Sequence, residues 1–388
     1  MTDSRRVAFC DLRAAHAARA EETEAALLRV AQSGRYVLGA EVEEFEREFA
    51  RCCGVVHAVG VGNGTDALAL ILRASGIGVG DEVIVPAYTA AATWMAVAAV
   101  GATPVGADSV GWAGLVDPRS VEAAVSSRTA AIIGVHLFGR LAPMASLRAI
   151  ARRHGLLLIE DAAHAPGVDE GAGPAGSLAD AAAFSFYPTK TLGALGDGGA
   201  VSTADGALAE SIRRLRSYGW SDWQGQADAP GVNSRLDELQ AAVLRDRLAQ
   251  LPRMHDRLRA LAAAYRSALD GRSDVGLPEP GSVGEPPWHQ FVVRHAARDA
   301  LRDELDRRAV GTAVHYDPIP PRLRAFAARA GSDGFPRAQR LAAEAISLPF
   351  DAWLRDDQVV TVSVALAAAL DSAAVRSSAL SLTWSPGS

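Results

Sequence analysis

The chain has 388 residues, of which 49% are hydrophobic and 22% charged, and its formal net charge is -6. This composition is typical of a globular protein with a sizeable core, and the acidic balance argues against a nucleic-acid partner. Charged residues, glycine or proline interrupt every apolar run, and no apolar segment follows the N-terminal arginines, so we expect neither a membrane span nor a signal peptide. The three cysteines show no disulfide framework or metal spacing, which favours a cytoplasmic location.

The first part of the chain alternates helical stretches with short apolar runs. Residues 15–50 are predicted to be helical, with a break between Gly34 and Gly39. Apolar runs at 82–86, 130–134 and 156–159 are separated by alanine-rich stretches. Uninterrupted apolar runs of this length between helices are typical of a mostly parallel sheet that is buried on both faces. We therefore predict an α/β fold, with a large domain over residues 1–250.

The pattern changes near residue 250. Residues 251–269 form an amphipathic helical pattern, and a linker rich in proline and glycine follows at 276–287. A strand is predicted at 290–293, a helix at 300–309 and a second strand at 312–315. These elements indicate a small α+β domain over residues 251–375, and the serine-rich tail, 376–388, is expected to be disordered.

A glycine-rich turn, residues 60–65, leads into a stretch with helical apolar periodicity. The free backbone N–H groups and the positive dipole end of a helix that begins in this way can bind a phosphate, and Thr65 adds a hydroxyl. The glycine spacing matches neither the dinucleotide fingerprint nor the P-loop. Taken alone, the segment is equally well interpreted as a tight turn with no ligand.

Asp161 directly follows the apolar run at 156–159, which predicts a buried strand. The carboxyl ends of parallel strands border the ligand crevices of α/β proteins, where an aspartate can pair with a ring nitrogen of a cofactor. His164 could face the same crevice. Each residue also has a purely structural interpretation, since Asp161 could cap the next turn and His164 could be a packing residue.

Lys190 is the only lysine, because all the other residues in the combined count of 39 lysines and arginines are arginine. Genome composition explains the excess of arginine but not this one exception. Arginine does not lose its proton near neutral pH, so the chemistry that specifically requires lysine is that of a nucleophilic amine. Chance retention is the alternative. The strand that precedes Lys190 ends at Ser185, and the glycines after Lys190 suit close approach to a ligand.

The turn, the strand-end aspartate and the lysine together meet three requirements of pyridoxal 5'-phosphate (PLP): a phosphate site, an acid partner for the ring nitrogen and an amine for the aldehyde. Lys190 would form the Schiff base and move the proton, while Asp161 would keep the ring nitrogen protonated. No histidine spacing indicates a metal site, and no G-x-S-x-G elbow indicates a serine hydrolase.

The ordered set of segments resembles the DegT/DnrJ/StrS family of PLP-dependent aminotransferases, which act mostly on nucleotide-linked keto sugars. The matching segments are 34–39, 43–49, 62–66, 80–86, 134–139, 159–164, 184–199, 231–240 and 288–294. The resemblance implies the aspartate-aminotransferase fold (fold type I) and a homodimer with shared active sites. It also implies transfer of an amino group from an amino acid, expected to be glutamate, to a keto sugar carried on a nucleoside diphosphate.

The resemblance further implies roles for individual residues. The expected catalytic residues are Lys190 and Asp161. The expected cofactor contacts are Gly64, Thr65, Asp161, His164, Ser185 and Lys190, with Asn233 of the partner subunit. The expected substrate contacts are Tyr187, His315 and Tyr316.

The chain departs from the family pattern at three places. Ala90 stands where the family has an aromatic residue that stacks on the cofactor ring, residues 317–322 replace a proline and a substrate-contacting histidine, and the loop at 110–115 is shortened. Tyr88 or Trp94 would fill the space beside Ala90, or the space would admit a bulkier substrate. Two alternatives stay open: a non-nucleotide substrate, such as a cyclitol or a natural-product intermediate, and a non-catalytic PLP-binding protein.

Overall fold

The computed structural model describes residues 6–220, 226–281, 284–327 and 334–381. Three helices come first: α1 (Leu12–Ala17), α2 (Ala20–Ser33) and α3 (Ala40–Cys52). Gly34 ends α2 with a left-handed φ of 67°, a conformation that suits glycine, so the predicted break in the helical region is confirmed. Among the described residues, no helix is both long and apolar enough to cross a membrane.

A seven-stranded sheet follows, in the spatial order β1-β9-β8-β7-β6-β2-β3. Its strands are β1 (His57–Val61), β2 (Glu82–Pro86), β3 (Thr103–Ala107), β6 (Thr129–Val135), β7 (Leu157–Asp161), β8 (Ala181–Ser185) and β9 (Gly199–Thr203). Strand β9 runs antiparallel to the other six strands, which are parallel to one another. A separate two-stranded ribbon joins β4 (Ser109–Val110) and β5 (Leu115–Val116). The predicted strands are therefore present, and the sheet is mostly parallel.

Helices cover both faces of this sheet. They are α4 (Gly64–Ala74), α5 (Ala91–Ala99), α6 (Pro118–Ala124), α7 (Met144–His154) and α8 (Gly206–Leu215). Successive strand residues enter different parts of the core: Ile132 and Leu158 lie in one cluster, and Ile133 and Ile159 in another. Because each strand is buried on both faces, its sequence is an unbroken apolar run and not an alternating one.

The helix predicted at 251–269 begins earlier, as α9 (Glu238–Ala268). Asp237 caps it by accepting a hydrogen bond from the Gln240 backbone N–H at 2.8 Å. The Glu238 carboxylate accepts hydrogen bonds from the N–H groups of Gly39 (2.8 Å) and Val42 (3.0 Å), which anchors the start of α3. The predicted division between residues 250 and 251 thus falls inside one helix, and the two-domain boundary remains a prediction.

The C-terminal part contains α10 (Arg298–Arg307), α11 (Pro336–Glu344), α12 (Asp356–Leu370) and α13 (Ala373–Ser381). Strand β10 (Val292–Arg294) pairs antiparallel with β11 (Ala345–Ser347). The prediction of a strand at 312–315 is wrong, because only Ala313 pairs, with Ser347. The backbone carbonyl of His315 instead accepts a hydrogen bond from the Tyr88 hydroxyl, so this segment does not continue along β11.

The tail predicted to be disordered from residue 376 starts inside α13. Val375 is fully buried in the main core and anchors this helix. Residues 376–381 are therefore helical, and the expectation that they are disordered is wrong. Residues 382–388 lie outside the described residues.

Candidate active site

The carboxyl ends of several parallel strands meet at one edge of the sheet. The glycine-rich turn follows β1, Asp161 ends β7 and Ser185 ends β8. A cavity of about 560 Å³ opens there. The predicted residues that line it are Gly64, Thr65, Asp161, His164, Ser185, Tyr187 and Lys190. The fold therefore brings into one place residues that lie far apart in the sequence.

The glycine-rich turn presents free hydrogen-bond donors at the start of α4. Asn63 caps the helix by accepting from the Asp66 N–H at 2.8 Å. Within the described ranges, the backbone N–H groups of Gly64 and Thr65 and the Thr65 hydroxyl make no hydrogen bond. A Cβ atom on Gly64 would lie 2.8 Å from that of Ser185, so only glycine lets the turn approach β8 this closely. Free donors at a helix N-terminus suit a phosphate.

Asp161 is buried at the end of β7, and its carboxylate is held in a fixed orientation. One oxygen accepts a hydrogen bond from the Thr93 hydroxyl at 2.8 Å, and the other from the Ala163 N–H at 3.2 Å. Sequence reasoning missed Thr93, because it lies on α5 and only the packing of α5 near β7 brings it to Asp161. The sequence offers one local signal for Thr93, which is its position three residues after Ala90 in the segment that follows strand β2.

Lys190 lies in the turn that follows β8, where its backbone N–H donates to the Tyr187 carbonyl at 2.8 Å. Desolvation in this enclosed site lowers the pKa of Lys190 to about 8, while the nearby Asp161 carboxylate acts in the opposite direction. At pH 7 roughly a tenth of such an amine is neutral, far more than of a solvent-exposed lysine. Lys190 is therefore suited to act as a nucleophile or a base.

Two histidines lie in contact with each other beside Lys190. His164 Nδ1 accepts the Phe138 backbone N–H at 3.2 Å, and the His164 ring lies 4.4 Å from that of His289 between centroids. Burial, followed by the charge of Lys190, lowers the pKa of both histidines. Both rings are therefore neutral at pH 7. His289 was not among the predicted site residues, although it lies in the matched segment 288–294.

The other predicted substrate contacts lie near the cavity but do not line it. His315 Nδ1 is 2.8 Å from Ser347 Oγ, and burial, followed by the charge of Lys190, lowers the pKa of His315 to about 4. Burial and the Asp161 carboxylate raise the pKa of Tyr316. Both residues therefore lie within electrostatic range of the reactive groups.

Asn233 is exposed and does not line the cavity of its own chain. Its backbone pairs with that of Ser217. That Asn233 contacts the cofactor in the partner's site remains a prediction.

The space beside Ala90 is open. Ala90 lines the cavity just before α5 begins. The Tyr88 hydroxyl donates to the His315 carbonyl, and the Trp94 indole N–H donates to the Pro86 carbonyl at 2.8 Å. Both rings are buried and neither lines the cavity, so the expectation that one of them fills this space is wrong. Core packing and these hydrogen bonds hold them elsewhere.

The arrangement fits pyridoxal phosphate. The free donors of the turn face the cavity that Asp161 and Lys190 also line, which supplies a phosphate site, an acid partner for the ring nitrogen and an amine. Among the described residues, no group of three or more histidine, cysteine, aspartate or glutamate side chains could hold a metal ion.

Comparison with known sequences gives long matches. Residues 17–367 match the DegT/DnrJ/EryC1/StrS aminotransferase family. The dTDP-3-amino-3,4,6-trideoxy-alpha-D-glucose transaminase of Streptomyces venezuelae is 49% identical over 92% of this chain and 94% of its own length. The erythromycin biosynthesis sensory transduction protein EryC1 of Saccharopolyspora erythraea is 48% identical over 88% of this chain and 94% of its own length.

Solved structures agree with the predicted fold. S. venezuelae DesV, solved in complex with a ketimine intermediate, matches with a TM-score of 0.92 and 47% identity, over 95% of this chain and 100% of that chain. Bacillus subtilis NtdA with bound cofactor PMP matches with a TM-score of 0.89 and 26% identity, over 95% of this chain and 86% of that chain. The predicted α/β aminotransferase fold is confirmed. The chain belongs to the DegT/DnrJ/EryC1/StrS aminotransferase family.

Proposed function

We propose that this protein uses PLP to move the amino group of an amino acid, expected to be glutamate, onto the keto group of a nucleoside-diphosphate-linked deoxysugar. The observation that carries this proposal is that Lys190, Asp161 and the free donors at Gly64 and Thr65 line one cavity. Relatives named as transaminases of dTDP-linked 3-amino sugars support the substrate class. We expect the enzyme to be cytoplasmic.

When bound, pyridoxal phosphate supplies an electron sink for the charge that remains after a proton leaves the carbon next to the amino group. Lys190 moves that proton at Nζ, and its lowered pKa makes the neutral amine available near neutral pH. Asp161 would keep the ring nitrogen of the bound cofactor protonated, and the hydrogen bond from the Thr93 hydroxyl orients its carboxylate for this role. His164 would lie beside the ring hydroxyl.

The phosphate would be bound by Gly64, Thr65 and Ser185, with Asn233 of the partner subunit completing the site. An exposed aromatic pair supports a dimer interface next to Asn233. Tyr218 and Trp220, which are 41% and 44% exposed, lie 5.0 Å apart between ring centroids. The Tyr218 N–H donates to the carbonyl of Val232, the residue before Asn233. Exposed apolar side chains grouped in this way are typical of interaction sites.

Tyr187, His315 and Tyr316 would contact the sugar. A non-nucleotide acceptor, such as a cyclitol, is a second candidate, because the open space beside Ala90 leaves room for a different substrate. A non-catalytic PLP-binding role is the third alternative, and the relatives named as transaminases argue against it. The proton-moving amine of Lys190 and the oriented Asp161 favour catalysis.

The proposal is tested on the full chain loaded with PLP. Addition of glutamate is expected to abolish the absorbance of the lysine-bound cofactor as the amine form accumulates. After removal of excess glutamate, keto sugars are added one at a time, nucleotide-linked and free, and the matching acceptor should restore that absorbance.

Lys190→Ala is the control, and it should show neither spectral change. Conversion by glutamate with no response to any nucleotide-linked sugar would contradict the proposed substrate. A loaded protein that no amino acid converts would contradict the transaminase itself and favour the non-catalytic role.

A further inference from the structure

Two successive carboxylates at the end of β7 differ in how their hydrogen bonds are used. Glu160 is fully buried, accepts from the N–H groups of Gly176 and Leu178 at 2.8 Å each, and lies 2.8 Å from His136 Nε2. Asp161 lines the cavity, and in the described part of the chain it accepts from one hydroxyl at 2.8 Å and one N–H at 3.2 Å. A carboxylate has about four lone-pair sites, so Asp161 keeps acceptor capacity for a ligand in the cavity.

The hydroxyl that bonds Asp161 belongs to Thr93, which is fully buried in the first turn of α5. Apart from Thr93, α5 contains only alanine, tryptophan, methionine and valine. A buried hydroxyl is costly unless it is hydrogen-bonded, and valine fills nearly the same space without one. The Thr93 hydroxyl is therefore explained by its bond to Asp161 and not by the packing of α5.

A second threonine extends this contact into a chain of hydroxyls. Thr89 is 1% exposed, and its Oγ1 lies 3.2 Å from Oγ1 of Thr93. Each hydroxyl has a single hydrogen, and a carboxylate can only accept. Because Thr93 donates its hydrogen to Asp161, Thr89 must be the donor to Thr93. The chain therefore has one direction, from Thr89 through Thr93 to Asp161, and each bond in such a chain strengthens the next.

This chain joins elements that are not neighbours in the sheet. Asp161 ends β7, whereas Thr89 and Thr93 follow β2, and β6 lies between these two strands. Val135 at the end of β6 pairs with Asp161 in the sheet and lines the same cavity, as does Thr89. The carboxylate is thus held by an element other than the one that carries it, which fixes its orientation toward the cavity.

We infer that Thr93 is a positioning residue for the ring nitrogen of the cofactor, acting through Asp161, and that Thr89 supports it through Thr93. The inference rests on the proposed function, in which Asp161 pairs with that nitrogen. Hydrogen bonds donated to a carboxylate stabilise its charged form, and a fixed negative charge beside the ring nitrogen stabilises a proton there. Loss of the Thr93 hydroxyl should therefore weaken the hold of the ring nitrogen on its proton.

The test uses the full chain loaded with PLP that is isotope-labelled at the ring nitrogen. The chemical shift of this nitrogen distinguishes its protonated from its unprotonated form, so a pH titration gives the midpoint of protonation. In Thr93→Val the midpoint should lie about one pH unit below that of wild type. This is a tenfold weaker hold on the proton, the lower end for a hydrogen bond to a charged group. Equilibrium dialysis should show that PLP retention weakens by a similar factor.

Three further variants sharpen the test. Thr93→Ser keeps the hydroxyl and should restore the wild-type midpoint. Thr89→Val should have a smaller effect, about twofold, because Thr89 only strengthens the bond that Thr93 donates. Ser363→Ala is the matched control, since it removes a buried helix hydroxyl that bonds only the Val359 carbonyl, at 2.8 Å, and it should leave the midpoint unchanged.

An unchanged midpoint in PLP-loaded Thr93→Val would overturn the inference and leave Thr93 with a packing role. An equal shift in Ser363→Ala would also overturn it, because the change would then follow from lost stability. Thr93→Ala removes the same hydroxyl with a smaller side chain, and it replaces Thr93→Val in the titration if that variant does not fold.

Failure of the inference and failure of the proposed function are distinguishable. A wild-type protein that transfers amino groups, with a midpoint that does not depend on the Thr93 hydroxyl, overturns only the inference. A wild-type protein that transfers none, while its midpoint does depend on this hydroxyl, supports the inference and contradicts only the aminotransferase proposal.

Discussion

Two groups of residues around Lys190 are built in different ways. The strand-edge group, comprising Gly64, Thr65, Asp161 and Ser185, lies at or directly after the ends of sheet strands. The loop group, comprising His289, His315 and Tyr316, lies in segments without regular structure.

The polar atoms of the two groups also differ. The N–H groups of Gly64 and Thr65 make no hydrogen bond in the described part of the chain, whereas His315 contacts Ser347 and Gln290 through its two ring nitrogens. The strand-edge group is thus ready to bind a cofactor whose polar atoms are always the same. His315 must give up contacts to bind a substrate, and we expect the loop group to affect substrate choice more than cofactor retention.

The largest effect is expected at Lys190, which lies between the two groups and affects both. Replacement by alanine removes the proton-moving amine, so turnover should fall by about 10⁴-fold, the upper end for general acid–base catalysis. Single-turnover kinetics of the donor half-reaction measure this loss, with the exposed-arginine variant Arg253→Gln as the control. Substantial turnover in Lys190→Ala would remove Lys190 from the mechanism.

The pH dependence of cofactor capture tests the same residue without a mutation. Only the neutral amine attacks the cofactor aldehyde, and the pKa of Lys190 is lowered to about 8. The capture rate of cofactor-free protein should therefore rise about tenfold between pH 6 and 7 and level off above pH 9. Asp161→Asn should shift the midpoint to lower pH, because Asp161 raises the pKa of Lys190. A rate still rising at pH 10 would indicate an ordinary lysine.

The variant Asn233→Ala tests whether the strand-edge group binds the phosphate without a residue from the partner subunit. If Asn233 reaches the phosphate in the partner's site, its loss should weaken PLP retention by ~1.5–3 kcal/mol. Equilibrium dialysis of PLP measures the affinity, and sedimentation shows whether the variant stays dimeric. A fully active monomer would contradict shared sites.

His315→Gln tests the loop group. Loss of one substrate hydrogen bond, worth about 1 kcal/mol, should raise the KM for the keto sugar about fivefold. In His315→Gln, the PLP affinity and the rate of the donor half-reaction should stay unchanged. The control variant Ser347→Ala should likewise keep its PLP affinity. An equal loss in both half-reactions would mean that the loop group serves the cofactor as well.

The smallest effect is expected at Ala90, which lines the same cavity as the strand-edge group and stands where the family has an aromatic residue. Ala90→Phe restores a stacking ring worth ~0.5–1.5 kcal/mol, so PLP affinity should stay the same or rise while turnover on the natural substrate falls. PLP titration and steady-state kinetics measure the two effects. Higher turnover together with higher affinity would show that Ala90 does not make room for the substrate.

The sequence alone determined the sheet, the turn at Gly64, the strand-end Asp161 and the reactive Lys190. These features obey short-range rules: strands buried on both faces are continuous apolar runs, a tight turn needs glycine, and only lysine among the basic residues forms a Schiff base. The start of α9 had a local signal as well, the cap Asp237, but the apolar periodicity placed it at residue 251.

Only the tertiary structure decided which distant side chains meet. Thr93 bonds Asp161 across 68 positions, and the Tyr88 hydroxyl contacts the His315 carbonyl across 227. No local pattern encodes such contacts, because they depend on how whole helices and strands pack, and each side chain is compatible with many other neighbours.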